Sequence, residues 1–215
     1  MVENAVMTKA CPTGQSRRLA AEDWIEAASQ AIAEGGIAAV AVEPLAQRLG
    51  VTKGSFYWHF TNRDALLQAT LERWEVEDTE AAIAALEGIT DPRERLQLLV
   101  VRALGDEPCL DPAGRLEMDR GHAFHLALSD AANDPIVRPI LQRVSERRID
   151  YLIECYRAIG FTPETARFRA LLAYAAYVGT VRLMREAPSR VPVGTSAQAY
   201  RQHFLATLVL SADDG

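Results

Sequence analysis

The chain has 215 residues, 49% of them apolar and 24% charged, with a formal net charge of −6 and three cysteines. This apolar content suffices for a packed core and excludes an intrinsically disordered chain. Cys11, Cys109 and Cys155 are odd in number and widely spaced, which argues for free thiols in a reducing compartment and against zinc.

The segment 1–16 lacks hydrophobic periodicity and reads as a flexible tail without the apolar stretch of a secretory signal. Arg17 and Arg18 then add a small basic patch. A first helix is expected from about Ala20 to Glu34, with Trp24, Ala28, Ala31 and Ile32 inward and Gly35-Gly36 ending it. A second, short apolar helix (Leu45, Ala46, Leu49) tolerates Pro44 in its first turn and stops at Gly50. A third runs from Thr52 to about Phe60. Two short helices joined by a tight glycine turn form a helix-turn-helix, the small Ala46 letting them approach. Val51, Phe56 and Phe60 are spaced to lock the third helix onto the second. Lys53, Gly54, Ser55, Tyr57, Trp58 and His59 are left on or near its outward side, as on a surface that touches a partner. The negative net charge does not oppose nucleic acid here. No Asp or Glu occurs between Pro44 and Asn62, while Arg48, Lys53 and the adjoining Arg63 are cationic. The local field governs phosphate binding.

The string GVTKGSFYWHFTNRDALL resembles the helix-turn-helix signature of the TetR/AcrR family of bacterial transcriptional regulators. The resemblance is nearly unbroken from Leu45 to Leu67, weaker from Trp24 to Val42, and beyond about residue 90 only one of helix layout. It implies a DNA-binding unit over residues 17–63, followed by an effector-binding and dimerisation unit over 64–215. Thr52 would cap the recognition helix and meet a phosphate. Lys53 and Ser55 would reach base edges, and Gly54 would allow close backbone approach. Tyr57, Trp58 and His59 would contact sugar and phosphate, and Arg63 would pair with a phosphate. Trp58 reads equally well as partly core. One departure is Ala41-Val42-Glu43, where the family often places a capping Thr or Ser. Glu43 would be unfavourable if it faced DNA.

A fourth helix starts at Thr61 or Asn62, carries Leu67, Leu71 and Trp74 on one face, and at roughly 24 residues is long enough to join two domains. Asp91-Pro92, Asp111-Pro112, Asp134-Pro135 and Thr162-Pro163 each place a capping side chain before a proline. The helices that follow run to about Leu104, Ser129, Ile159 and Glu186, and a last helix spans about Thr195 to Ser211. No alternating strand pattern occurs, so the fold class is all-α with about nine helices. The longest uncharged stretch near the C-terminus, Ala170 to Val181, is too short to span a bilayer. Together with the absent signal, this reads as a cytoplasmic protein without a membrane partner.

Phe168, Leu171, Leu172, Ala175, Val178 and Val181 form one broad apolar face, and Tyr200, Phe204, Leu205, Leu208 and Val209 another. These faces fit either the monomer core or, as the resemblance implies, a four-helix homodimer interface. Asp119, His122 and His125 fall on one arc of an expected helix. With Phe124 and Tyr156 they suit a largely apolar effector cavity in which the histidines orient the ligand's polar end. A metal-dependent enzyme built on the same three residues is a rival, although their spacing differs from that of known helix-borne zinc motifs. A helical protein-interaction module is another. No GxSxG, P-loop or dinucleotide fingerprint occurs, so no cofactor and no catalysis are expected. The expected partners are a palindromic double-stranded operator, a small hydrophobic effector and a second copy of the chain.

Overall fold

The computed structural model describes residues 19–104 and 119–208. Within them the fold is all-helical, with no strand. Arg17, Arg18, Cys11, Cys109, Val209 and the Asp111-Pro112 cap lie outside the described residues.

Helix α1 (Ala21–Gly35) buries Trp24, Ala27, Ala28, Ala31 and Ile32 along one face and ends where Gly36 turns to φ 72°. A short 3₁₀ turn (Ile37–Ala39) leads to α2 (Val42–Arg48). Gly50 adopts φ 67°, the left-handed conformation that the motif turn requires. The Val51 N–H then donates to the Ala46 carbonyl at 3.0 Å and closes the corner. Helix α3 (Lys53–Phe56) is a single α-turn. It continues through Tyr57–His59 by bonds such as His59 N–H to Phe56 O at 2.9 Å, so the expected helix to Phe60 is tightened into a shorter one. The cause is aromatic packing. Phe56 is fully buried, with its ring edge-on to Trp24 at 5.3 Å and stacked with Phe60 at 5.8 Å.

Helix α4 (Arg63–Trp74) is capped by the Asn62 side chain, which accepts from Ala65 N–H at 2.8 Å. It passes through a π-helical turn (Glu75–Glu80) into α5 (Ala81–Glu87), making one rod of the expected length. Helices α6 (Pro92–Leu104), α7 (Arg120–Asp130), α8 (Val137–Ile159), α9 (Pro163–Glu186) and α10 (Thr195–Leu208) follow. The α4–α5 rod counted once, the described residues hold nine helices. Two caps work as the sequence suggests: Asp91 accepts from Arg93 N–H at 2.9 Å and Thr162 from Thr165 N–H at 3.2 Å. At Asp134-Pro135 the helix starts later than expected, at Val137, and Asp134 accepts from Ile136 N–H at 2.8 Å in the turn that leads into it. Gly160, at φ 114°, ends α8.

One expectation is corrected. Asp119 does not lie inside a helix running from Asp111 to Ser129. It is the N-cap of α7, its carboxylate accepting from His122 N–H at 2.9 Å.

The interior has two apolar clusters. The first joins the helix-turn-helix core to Trp74, Phe124, Leu128, Val137, Ile140 and Val144, so it does not stop at residue 63. The second gathers Ile83, Leu86, Leu96, Tyr151, Tyr156, Phe161 and small residues of α9. Among the described residues no helix is long and apolar enough to cross a membrane.

Candidate nucleic-acid interface and ligand cavity

The outer side of the motif carries the residues singled out from sequence. Thr52, Lys53, Gly54, Tyr57 and Trp58 are exposed, while Ser55 and His59 are half-buried. Trp58 is 88% exposed and Tyr57 58%. The reading of Trp58 as partly core therefore does not hold. Thr52 occupies the N-cap position, yet its hydroxyl makes no capping bond. Lys53 Nζ lies 2.7 Å from Glu43 Oε1. That bond holds the Glu43 carboxyl below its usual range and the Lys53 ammonium above its own. Glu43 thus stands beside the outward face, paired with its principal cation. Arg63 is engaged internally: Nε donates to Val40 O at 2.8 Å, Nη2 to Ile37 O at 2.7 Å and Nη1 to Asp64 at 3.1 Å. It ties the 3₁₀ turn to the start of α4, a role the sequence did not indicate.

A cavity of about 270 Å³ lies among α5, α6, α8, α9 and α10. Asp119, His122 and Tyr156 line it, whereas Phe124 and His125 do not. Helical geometry explains the division. Each residue turns the helix by about 100°, so Phe124, about 200° round from His122, points away from the cavity, whereas His125 shares the arc of His122 but lies a turn further on, beyond the cavity lining. Phe124 stacks on Trp74 at 5.5 Å, and His125 sits between Trp74 and Tyr177. Burial, with Arg148 nearby, pushes the His125 imidazole down to about 4, and its Nδ1 has no hydrogen-bond partner. Neither of these two residues therefore orients a ligand in this cavity. Among the described residues no three His, Cys, Asp or Glu side chains converge as a metal would need.

Sequence reasoning missed the cavity's other polar wall. Arg148, deep in α8, donates to Asp78 Oδ2 at 2.6 Å and Thr79 Oγ1 at 3.0 Å from the π turn, and its guanidinium lies 5.5 Å from the Trp74 ring centre. Tyr174 and Tyr177 of α9 complete that side. Burial pushes the Tyr177 phenol up to about 12. A signal was present in Arg148, Tyr151, Leu152 and Tyr156, where a cation interrupts an otherwise apolar stripe at helical spacing.

The outer face of α9 is apolar and uncovered: Phe168, Leu171, Leu172 and Leu183 are exposed, with Leu172 at 64%. Val181 from the same expected face is buried. Phe204 of α10 lines the cavity, while the Tyr200 hydroxyl meets Thr180 Oγ1 at 3.1 Å. The two apolar faces are thus divided between the interior and the surface.

An N-terminal helix-turn-helix with an aromatic, cationic outer face, joined by one long helix to a helical body around a cavity, defines the class of helix-turn-helix regulators with a helical C-terminal domain. Residues 25–70 match the sequence profile described as bacterial regulatory proteins, tetR family. The chain is 34% identical over 83 residues to the HTH-type transcriptional regulator TtgR of Pseudomonas putida, a match spanning 38% of this chain and 40% of that protein's length. It is 27% identical over 202 residues to the HTH-type transcriptional regulator BetI of Burkholderia lata, covering 92% of this chain and 97% of that one. Among solved structures, a transcriptional regulator from Rhodococcus sp. Rha1 superposes with a TM-score of 0.69 at 24% identity, covering 89% of this chain and 94% of that one. A transcriptional regulator from Saccharomonospora viridis, solved in complex with choline, does so with a TM-score of 0.68 at 23% identity, covering 86% and 92%. The chain thus resembles TetR-family bacterial transcriptional regulators, by its profile match over residues 25–70 and by its similarity to BetI along nearly its whole length.

Proposed function

We propose that the protein is a dimeric, effector-responsive transcriptional repressor working in the cytoplasm. Residues 17–63 form its DNA-binding unit, and residues 64–215 its effector-binding and dimerisation unit. The observation that carries this reading is the outer face of α3. Two large aromatic side chains stand in solvent there beside an exposed lysine, on a helix whose other side is locked by Phe56 and Phe60. In the major groove, Lys53 and Ser55 would meet base edges, with Gly54 allowing close approach. Thr52, with its uncommitted hydroxyl, and Tyr57, Trp58 and His59 would take the sugar-phosphate backbone. Arg63 would act chiefly by holding the 3₁₀ turn, with its remaining N–H groups directed at a phosphate.

The effector would occupy the 270 Å³ cavity, a size suited to a small molecule. Two of its acids are already paired, Asp78 with Arg148 and Asp119 with His122, so a largely apolar ligand without a positive charge fits best. The choline-bound neighbour carries its own ligand class; the internal pairing here argues for a different one. Ligand that prefers the DNA-incompetent arrangement would release the operator.

The test is selection of bound duplexes from a random pool, followed by titration over a range of salt concentrations. A palindromic site bound with a steep salt dependence is expected. A slope near zero would favour a protein-interaction module instead.

A further inference from the structure

The imidazole of His122 is held between two groups that can only accept hydrogen bonds. Nδ1 lies 2.5 Å from Asp119 Oδ2, and Nε2 lies 2.7 Å from the carbonyl oxygen of Ala103. A neutral imidazole has one N–H and one lone pair, so one of these contacts would set lone pair against lone pair. Only the imidazolium donates to both. The acceptors also belong to different elements. Ala103 lies on α6. Asp119 is the N-cap of α7, its other oxygen taken by the His122 N–H. The side chain is buried, so water is a poor substitute for either partner.

We infer that His122 is an imidazolium staple fixing the α6 wall of the cavity to α7, and that loss of its proton releases that wall. Groups from every surrounding element bear on the ring. Burial opposes the charge, but the Asp119 carboxylate, the Ala103 carbonyl and Asp78 of the π turn outweigh it, and the pKa lies above the ordinary histidine value. Arg148 of α8 faces the same side but is spent on Asp78. His125 on α7 is pushed down to about 4 and brings no charge near neutrality. Tyr177 of α9, 6.3 Å away, is pushed up to about 12. Arg102 adjoins the staple on α6. A raised folded-state pKa means that the staple is intact at low pH and is lost as pH rises through that value.

The staple itself stands on these contacts; only its effect on a ligand rests on the cavity being the effector site. The experiment uses the full chain with ring-¹⁵N-labelled histidine, from about pH 6 to about pH 9. At the acid end of this range the His122 nitrogens should both be protonated. Backbone exchange in 96–104, corrected for its intrinsic pH dependence, should quicken roughly tenfold as the ring titrates, the scale of one charge-assisted hydrogen bond. Asp119→Asn, which can still cap α7, should lower the midpoint, and His122→Phe should exchange fast at every pH. A ring with a single N–H at the acid end, or exchange in wild type that ignores the titration, overturns the inference.

Binding of N-phenyl-1-naphthylamine, uncharged over this range, reports on the cavity. Its affinity should fall in parallel with the exchange. Binding that does not change with pH would overturn the staple's hold on the cavity. No binding at any pH, with the ring and α6 behaving as expected, would instead sink the effector-site reading and leave the staple standing.

Discussion

In the proposed complex Lys53 would meet DNA already holding a partner. Its bond to Glu43 sits on the exposed face of the motif, where solvent screens it and a phosphate or base edge would compete for the same ammonium. Lys53→Ala and Tyr57→Ala should each weaken operator binding roughly tenfold or more while leaving the fold intact, since both side chains are exposed. Glu43→Gln should do the opposite. It frees the lysine, tightens binding, and steepens the log–log salt slope by about 0.9 for each phosphate the lysine then reaches. Anisotropy titrations of the three variants over a salt series check both signs; a Glu43→Gln protein that binds like wild type would remove the pair from the interface. A different residue-scale prediction concerns His125. Its imidazole is kept neutral by burial, with a pKa near 4, whereas the unfolded chain takes up that proton near the ordinary value. Stability should therefore fall as pH drops below about 6.5, by roughly 3 kcal/mol at pH 4 from this group alone. His122 contributes with the opposite sign, its raised pKa favouring the folded state at low pH. Thermal unfolding of wild type and His125→Phe at neutral and acid pH isolates the term, and equal acid losses in the two proteins would refute it.

The acidic run at the end of α4 shows at the scale of elements what a single sequence conceals. Glu75, Asp78 and Glu80 sit in the π turn and pair with Arg143, Arg148 and Arg147 of α8, at 2.6, 2.6 and 3.3 Å. A π turn carries one more residue than an α-turn, and such turns gather at functional sites. Here it brings Asp78 and Thr79 onto the cavity wall. Replacing Arg148 by Met should destabilise the protein by roughly 1–3 kcal/mol, because half-buried Asp78 and buried Thr79 lose their shared partner. Asp78→Asn in the same chain should recover part of that loss in denaturant melts. Additive losses in the double variant would mean that the two side chains do not act as a pair. The motif turn and the caps were legible because their causes are local: Gly50 needs its own backbone conformation, and Asp91, Asp134 and Thr162 bond within three residues. The π turn was not, since its geometry depends on arginines some seventy residues away. The cavity was half legible for the same reason. Asp119, His122 and Tyr156 were found as polar or aromatic outliers on their helices. Arg148, Tyr174 and Tyr177 acquire meaning only when α8 and α9 are placed beside the π turn.

For the whole molecule, the decisive question is what covers α9. Phe168, Leu171, Leu172 and Leu183 leave an apolar stripe in solvent, and a contiguous patch of this kind marks an interface. A second copy is the partner that a palindromic operator requires, since each helix-turn-helix reads one half-site and the pair gains from being joined. Leu172 is the clean probe because it is exposed in the monomer. A charge at Leu205, half-buried beside the cavity residue Phe204, would disturb the interior as well. Leu172→Glu should leave the circular dichroism spectrum unchanged. In sedimentation it should turn a dimer into a monomer, and its binding to the palindrome should drop to that of a single half-site. The contacts from α1 and α4 to α7 would still hold each motif on its own body, through Glu26 with Arg73 and Arg120 and through Trp74 on Phe124. The loss would therefore be one of spacing and effective concentration, not of the DNA-reading surface itself. A wild-type monomer at micromolar concentration, or a monomeric Leu172→Glu protein that binds the palindrome at full strength, would defeat the dimer proposal.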